Sequence, residues 1–209
     1  MRRFITFEGI EGSGKTTQIQ LLSNHLEARG IDHVLTREPG GTAIGDQVRR
    51  LVLNPANSPM TPACELLLYA AARAQHIEQV IRPALDEGRL VLCDRFRDAT
   101  LAYQGHGRGL PLDMIGRLHE IGSLSLQPDL TILLDLDAAA ALQRARGRDL
   151  TKPVDETRFE REGLAFHSQV RQGYLELARQ EPDRFVVLDA RGGAEEVHSR
   201  VLAAIERFL

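Results

Sequence analysis

At 209 residues and a net charge of −3, the chain has the length of one doubly wound domain with room for an insert. Its mild acidity leaves no basic footprint for nucleic acid, and no apolar run reaches the length of a membrane span. Cys64 and Cys93, the only cysteines, lack metal-ligand spacing, which excludes a disulfide framework and a zinc site and predicts two buried thiols. The first strand begins within a few residues of the start, so no secretory signal is expected and the expected location is cytoplasmic. Lys15 and Lys152 are the only lysines; the positive charge is otherwise arginine, which suits two-pronged phosphate recognition but could also reflect genomic base composition.

In chain order, the apolar residues 4–7 read as a first strand. Directly after it, Gly9-Ile10-Glu11-Gly12-Ser13-Gly14-Lys15-Thr16 fits G-x-x-x-x-G-K-S/T at every fixed position. Glycines let the backbone turn its amides inward, and the helix that follows adds its positive end to that nest. A nucleoside triphosphate would contact residues 9–17: Gly9, Ile10, Glu11, Gly12, Ser13, Gly14, Lys15, Thr16 and Thr17. Lys15 would reach the β- and γ-phosphates and Thr16 would ligate Mg²⁺. The helix itself, 16–28, places Ile19, Leu22 and Leu26 on one face. Strands follow at 31–36, 90–93, 130–136 and 185–188, and helices at 43–53, 62–86, 113–122, 138–146, 159–180 and 194–208. Loops are expected at 39–41, 54–62 and 105–111. This alternation predicts an α/β fold, a parallel sheet with helices on both faces; with the phosphate loop, the architecture expected is of the P-loop NTPase type, five strands ordered 2-3-1-4-5.

Ligands of such sheets gather at the carboxyl ends of the strands, and four of those ends carry reactive side chains. After the second strand stands Arg37-Glu38-Pro39-Gly40-Gly41-Thr42, after the third Asp94-Arg95-Phe96, and at the fourth Asp135-Leu136-Asp137. Asp94 closes an apolar strand as a Mg²⁺-organising acid does, with a structural ion pair as the alternative. Tyr69 and Arg73, four apart on one helix, offer a ring and a donor to a base, or a packed cation–π pair. Arg144, Arg146 and Arg148, ahead of a Pro-broken loop, form a lid over polyphosphate or a solvated helix end.

Together, Phe7-Glu8-Gly9, Thr36–Thr42, the helix from Tyr69 to Gln75, Asp94-Arg95-Phe96, Ala102-Tyr103-Gln104-Gly105, Arg108-Gly109 and Pro128-Asp129-Leu130 resemble thymidylate kinases along essentially the whole chain. Arg158-Phe159-Glu160, Phe166-His167 and Gly173-Tyr174 extend the likeness. Ser13 and Gly14, where an arginine could stand, resemble the subclass whose catalytic arginine lies in the lid. The resemblance implies one nucleoside monophosphate kinase domain with a lid at about 144–158 and ATP-dependent phosphorylation of dTMP to dTDP with Mg²⁺. It also implies a homodimer, without a nucleic-acid or membrane partner.

Carried onto this chain, the resemblance gives Lys15, Asp94, Arg95 and Arg148 as catalytic, Thr16 and Asp94 on the metal, and Arg144 and Arg146 on ATP. Tyr69 would stack on thymine, Arg73 would bond a base carbonyl, and Thr100 would meet the base edge beside Gln104. Tyr103 would lie where a 2′-hydroxyl would project, with Glu11 near the 3′-hydroxyl, Arg95 and Arg37 on the acceptor phosphate, and Tyr174 closing the base pocket. Three departures stand out: Tyr69 sits where the family more often has Phe, Ala99 replaces a common Ser, and the Lys152-Pro153 stretch lengthens the lid. Two rival readings are a kinase for another small acceptor and a nucleotide switch, although Thr151-Lys152-Pro153-Val154-Asp155 is one residue too long for a guanine-reading segment.

Overall fold

The computed structural model describes residues 4–123, 125–147 and 156–206. Its five strands are β1 (Phe4–Glu8), β2 (His33–Arg37), β3 (Leu90–Asp94), β4 (Leu130–Asp135) and β5 (Phe185–Asp189). All pair in parallel in the order β2-β3-β1-β4-β5. The expected topology is therefore met. β1 is central, with Phe7 opposite Asp94 on β3 and Ile132 on β4, which sets the start of the phosphate loop beside the end of β3.

Alternate strand side chains point to opposite faces, and the two faces bury different partners. Ile5, Phe7 and Leu92 join a cluster with Ile19, Leu22 and Leu26 of α1 (Lys15–Ala28) and Val197 and Val201 of α9 (Ala194–Ile205). Phe4, Val91 and Cys93 pack instead with Ile77, Ile81, Ala84 and Phe96. The inner strands β1, β3 and β4 are buried along almost their whole length, whereas the edge strands β2 and β5 are only partly covered.

Helices α2 (Ala43–Leu53) and α3 (Pro62–His76) start where the side chains of Thr42 and Thr61 accept from Gly45 N and Cys64 N, and Pro62 supplies a preset φ at the first position of α3. The single helix expected over 62–86 is interrupted by a wide turn, Ile77–Ile81, before α4 (Arg82–Asp86). Pro83 has no amide for the regular ladder and its ring crowds the preceding turn, which the wider turn relieves. The loop expected from 105 begins later: α5 (Arg97–Thr100) runs into a second wide turn, Leu101–Gly107. That turn lies against α8 (Leu164–Gln180), where a Cβ on Gly173 would stand 2.6 Å from His106. Gly163 separates α8 from a short turn at Phe159–Arg161, dividing the helix expected at 159–180. Helices α6 (Leu112–Ser123) and α7 (Ala138–Gly147) flank β4 in sequence. Cys93 is buried as expected, but Cys64 is exposed, because it faces outward in the first turn of α3.

One buried ion pair ties the sheet to the segment after β3. Arg184 donates to Asp98 at 2.7 and 3.0 Å and to the Thr131 hydroxyl at 2.7 Å, and Asp98 is fully buried. Removing one partner of such a pair strands a buried charge, at a cost of about 3–5 kcal/mol. Arg184→Ala is therefore expected to lower the thermal midpoint by several degrees; an unchanged midpoint in calorimetry would contradict this account of the pair.

Candidate active site

A cavity of about 500 Å³ opens at the carboxyl ends of β1, β2 and β3. Its wall takes Glu11, Gly12, Gly14, Lys15 and Thr16 from the phosphate loop, Arg37 to Pro39 after β2, and Tyr69 and Arg73 from α3. Asp94, Arg95, Phe96, Thr100, Tyr103 and Gln104 come from the end of β3, α5 and the wide turn after it, and Glu156, Phe159 and Glu160 from the segment before α8.

The loop has the glycine geometry its motif requires. Gly12 adopts φ +82° with the Ala141 carbonyl of α7 pressed against it, so a Cβ there would collide with backbone. Gly14 precedes α1 at φ 99°, and no side chain caps that helix. The first-turn amides are thus left for an anion. Lys15 Nζ donates to the carbonyls of Gly9 (2.9 Å) and Ile10 (3.0 Å). Burial, and then the charge of Arg95, push its ammonium down to about 8. Thr16 Oγ1 donates to Asp94 Oδ2 at 3.1 Å, so a hydroxyl and a carboxylate already converge. Ser13 is buried with Oγ unpartnered, while Thr17 is exposed and outside the cavity wall.

At the opposite wall Arg73 is 5 % exposed. Its Nε pairs with Glu38 at 2.7 Å, and Nη2 donates to the Phe96 carbonyl (3.1 Å) and the Thr100 hydroxyl (2.8 Å). Nη1 has no hydrogen-bond partner among the described residues. Glu38 also meets His76 Nδ1 at 3.0 Å. Burial would raise its carboxyl, yet Arg73 and His76 hold it below the usual range. The guanidinium lies over the ring of Phe96, 5.3 Å from its centroid, so the cation–π partner is Phe96 and not Tyr69. Tyr69 is half-buried in the cavity wall, and burial together with the charge of Glu65 pushes its phenol up.

Arg95 joins the two ends. It is a non-glycine residue at φ 72°, a left-handed conformation that costs energy unless its surroundings fix it. Nη2 pairs with Glu11 at 2.8 Å and donates to the Tyr103 hydroxyl at 3.1 Å; Nη1 donates to the Tyr174 hydroxyl at 3.1 Å. Tyr103 in turn donates to Glu11 at 2.5 Å and sits under the guanidinium, 4.8 Å from centroid to carbon. Burial works to raise the Glu11 carboxyl, but Arg95 and the nearby His167 hold it well below the usual range.

The expectations for Tyr174 and Arg144 change, while Gln104 and Arg37 line the cavity as expected. Tyr174 is 1 % exposed and absent from the cavity wall: α8 packs it behind Arg95, so it supports the arginine instead of closing the base pocket. Gln104 is also buried, and its amide donates to Glu65 at 2.7 Å. Arg37 lines the cavity and is 55 % exposed, paired with Asp46 at 3.2 Å. Arg144 donates to the Ala190 carbonyl after β5 and does not line the cavity. Arg148, with 149–155 and the side chain of Arg146, falls outside the described residues. Arg158 pairs with buried Glu65 at 2.6 Å and donates to the Val52 carbonyl at 3.1 Å.

Sequence reasoning missed Glu65, Arg49 and Glu8. Glu65 stands four residues before Tyr69 on the same helix face, a spacing that could have flagged it, and it collects Arg158, Arg108 and Gln104. Arg49 pairs with Glu156 at 2.8 Å across the cavity rim, which no local pattern could have signalled.

A parallel sheet with a phosphate loop at its centre, and a second cationic, base-sized wall facing that loop across one cavity, defines a nucleoside monophosphate kinase. Comparison with known proteins agrees: a family model described as Thymidylate kinase matches residues 7–201. A thymidylate kinase of Pelobacter propionicus is 54% identical over 98% of this chain and 94% of its own length, and one of Syntrophotalea carbinolica is 56% identical over 96% and 94%. The crystal structure of thymidylate kinase from Ehrlichia chaffeensis superposes with a TM-score of 0.79 at 33% identity, covering 98% of both chains. The chain belongs to the thymidylate kinase family, whose members phosphorylate dTMP to dTDP with ATP.

With its ammonium at about 8, Lys15 is partly neutral in the empty enzyme near that pH. Bound phosphates favour the charged form, so ATP binding should take up protons: roughly half a proton per site near pH 8, fading as pH falls and the lysine is already charged. Calorimetry in buffers of different ionisation enthalpy measures this uptake. Lys15→Arg, which cannot deprotonate, should bind without it.

Proposed function

We propose that this chain transfers the γ-phosphoryl group of ATP to the phosphate of dTMP, giving ADP and dTDP, with Mg²⁺ as cofactor. The observation that carries the reading is the cavity itself, which is lined by Lys15, Thr16 and Asp94 together with Arg95, Tyr69, Arg73 and Thr100. Two anions must be brought in line with their repulsion neutralised, and little covalent help is needed.

Lys15 and the loop amides hold the donor phosphates. The Thr16 hydroxyl and the Asp94 carboxylate, 3.1 Å apart, are hard oxygen donors and fit Mg²⁺, which keeps several waters beside one or two carboxylates and substrate phosphate. When bound, Mg²⁺ neutralises phosphate charge. Arg95 and Arg37 hold the acceptor phosphate, whose oxygen attacks the γ-phosphorus as the bond to the bridging oxygen breaks and ADP leaves with that electron pair. No general base is required, because the acceptor is already an anion. Tyr69 stacks on thymine, the unpartnered Nη1 of Arg73 donates to a base carbonyl, and Thr100 meets the base edge. Tyr103 and Glu11 border the sugar. Arg148 leads the candidates for the lid arginine that meets the transferred group, with Arg144 and Arg146 as alternates; such an arginine contributes about 10³–10⁵ in rate.

The chain acts as a single kinase domain with its lid at about 144–158. A homodimer is the assembly we propose, with the exposed Ile44, Leu51 and Leu67 of α2 and α3 as an apolar face. No helix of the described residues is long and apolar enough to cross a membrane; the cytoplasm is the proposed location.

The test is ADP release from MgATP with a panel of nucleoside monophosphates. dTMP should far exceed its ribo counterpart and the purine acceptors, and release independent of acceptor would overturn the reading. In the same assay Arg73→Ala should raise the KM for dTMP by about tenfold or more with little change for ATP, as expected when a buried hydrogen bond worth about 1–3 kcal/mol is lost.

For the lid, Arg148→Ala should lower kcat by at least about a hundredfold with modest change in either KM, the pattern of a contact made mainly in the transition state. Arg158→Ala should instead act on stability, since its charge already serves Glu65. Inactivation by Arg158→Ala with Arg144, Arg146 and Arg148 each dispensable would place the catalytic cation after the lid loop.

A further inference from the structure

Glu8 has no part in the chemistry above, yet both its oxygens lead to Arg95. It is the last residue of β1 and fully buried. Oε1 accepts the backbone N–H of Phe96 at 2.8 Å, which fixes the peptide just after Arg95. Oε2 accepts the Tyr174 hydroxyl at 2.7 Å, and that same hydroxyl oxygen accepts Arg95 Nη1 at 3.1 Å. One carboxylate therefore grips Arg95 at its backbone and, through one tyrosine, at its guanidinium.

A glutamine would not reproduce this pair of bonds. Phe96 N–H can only donate, and the Tyr174 oxygen accepts a hydrogen bond from Arg95 while its own hydrogen goes to Glu8. Both oxygens accept here; an amide could keep only the acceptor for Phe96 N–H and would have to reverse the bond to Tyr174, its NH₂ donating to that hydroxyl. Burial, and then the nearby charge of Asp98, push the Glu8 carboxyl up, against the pull of Arg95 and these two bonds. So costly a group, placed behind a residue held at φ 72°, calls for a function that tolerates the cost.

We propose that Glu8 is a positioning residue for acceptor phosphate, acting through Arg95: it clamps the left-handed turn by Phe96 N–H and aims the guanidinium by way of Tyr174. The proposal rests on the reading that Arg95 holds the phosphate of dTMP. It predicts that damage to the clamp is felt by a ligand that carries the phosphate and not by one that lacks it.

The experiment is calorimetric binding of dTMP and of thymidine to the wild type, Glu8→Gln, Tyr174→Phe, Arg95→Ala and the double variant Arg95→Ala/Tyr174→Phe, with KM for both substrates where turnover allows. Tyr174→Phe keeps the ring packing and the Glu8 to Phe96 bond, and carries the test should Glu8→Gln not fold. Tyr174→Phe and Glu8→Gln should each weaken dTMP by about tenfold, the size of one charge-assisted hydrogen bond, while thymidine affinity and the KM for ATP change less than about twofold. In the Arg95→Ala background the effect of Tyr174→Phe on dTMP should vanish, since a residue that acts through another adds nothing once that other is gone. If Arg95→Ala weakens dTMP but neither clamp variant does, or if the clamp's penalty persists without Arg95 or falls equally on thymidine, the role of Glu8 is overturned. If Arg95→Ala binds dTMP as the wild type does, the assignment of Arg95 falls first and the proposal with it.

Discussion

The guanidinium of Arg95 sits just past the end of β3, where the phosphate loop, α8 and the turn after α5 meet, and each of those three supplies it with an acceptor. A cation so placed is costly unless surrounded by matched acceptors, and here the acceptors come from Glu11, Tyr103 and Tyr174. The same demand recurs around the cavity. Arg73 has Glu38, Arg158 has Glu65, and Arg49 has Glu156. The arginine-rich composition thus becomes a set of local pairs, each built into the fold before any ligand arrives. Catalysis by fixed charge needs this preorganisation, because groups already aimed need not reorganise as the reaction proceeds.

Pairing also sorts the arginines by task. Arg158, closed in by Glu65 and a backbone carbonyl, has its charge answered within the fold. Arg73 is an intermediate case: its Nε and Nη2 are engaged while Nη1 is left over, the arrangement of a side chain held rigid to present one donor. Arg37, more than half exposed, keeps the freedom to leave Asp46 for a better anion.

The donor end obeys a different constraint, close approach of backbone. Gly12 lets the Ala141 carbonyl of α7 rest on the loop, so α7 is packed directly on the glycine-rich loop. At this end Lys15 is folded back on its own loop carbonyls and its proton is loosened by burial and by Arg95. Arg95 thus repels the charge on Lys15 across the cavity, a repulsion that an anion at the loop would relieve.

The sequence by itself determined what is local. The phosphate loop, the five strands, the Tyr69 and Arg73 face of α3, and the Asp94-Arg95 strand end were legible because each depends on spacings of a few residues and on apolar periodicity; the strand order was expected from the architecture that the phosphate loop and the family resemblance suggest. What only the tertiary structure decided is which charge answers which. Arg73 meets Glu38 across 35 residues, Arg49 meets Glu156 across 107, and Tyr174 meets Glu8 across 166. No periodic signal spans such distances, so Tyr174 reads as a pocket residue from its motif and turns out to stand behind Arg95, and Glu8 reads as the lead-in to a glycine and turns out to hold the far side of the site. Cys64 failed for the same reason: whether a helix face is inside or outside depends on what the rest of the chain lays against it. Local chemistry chooses the groups; the energy of burying their charges, settled only when distant segments meet, chooses their partners.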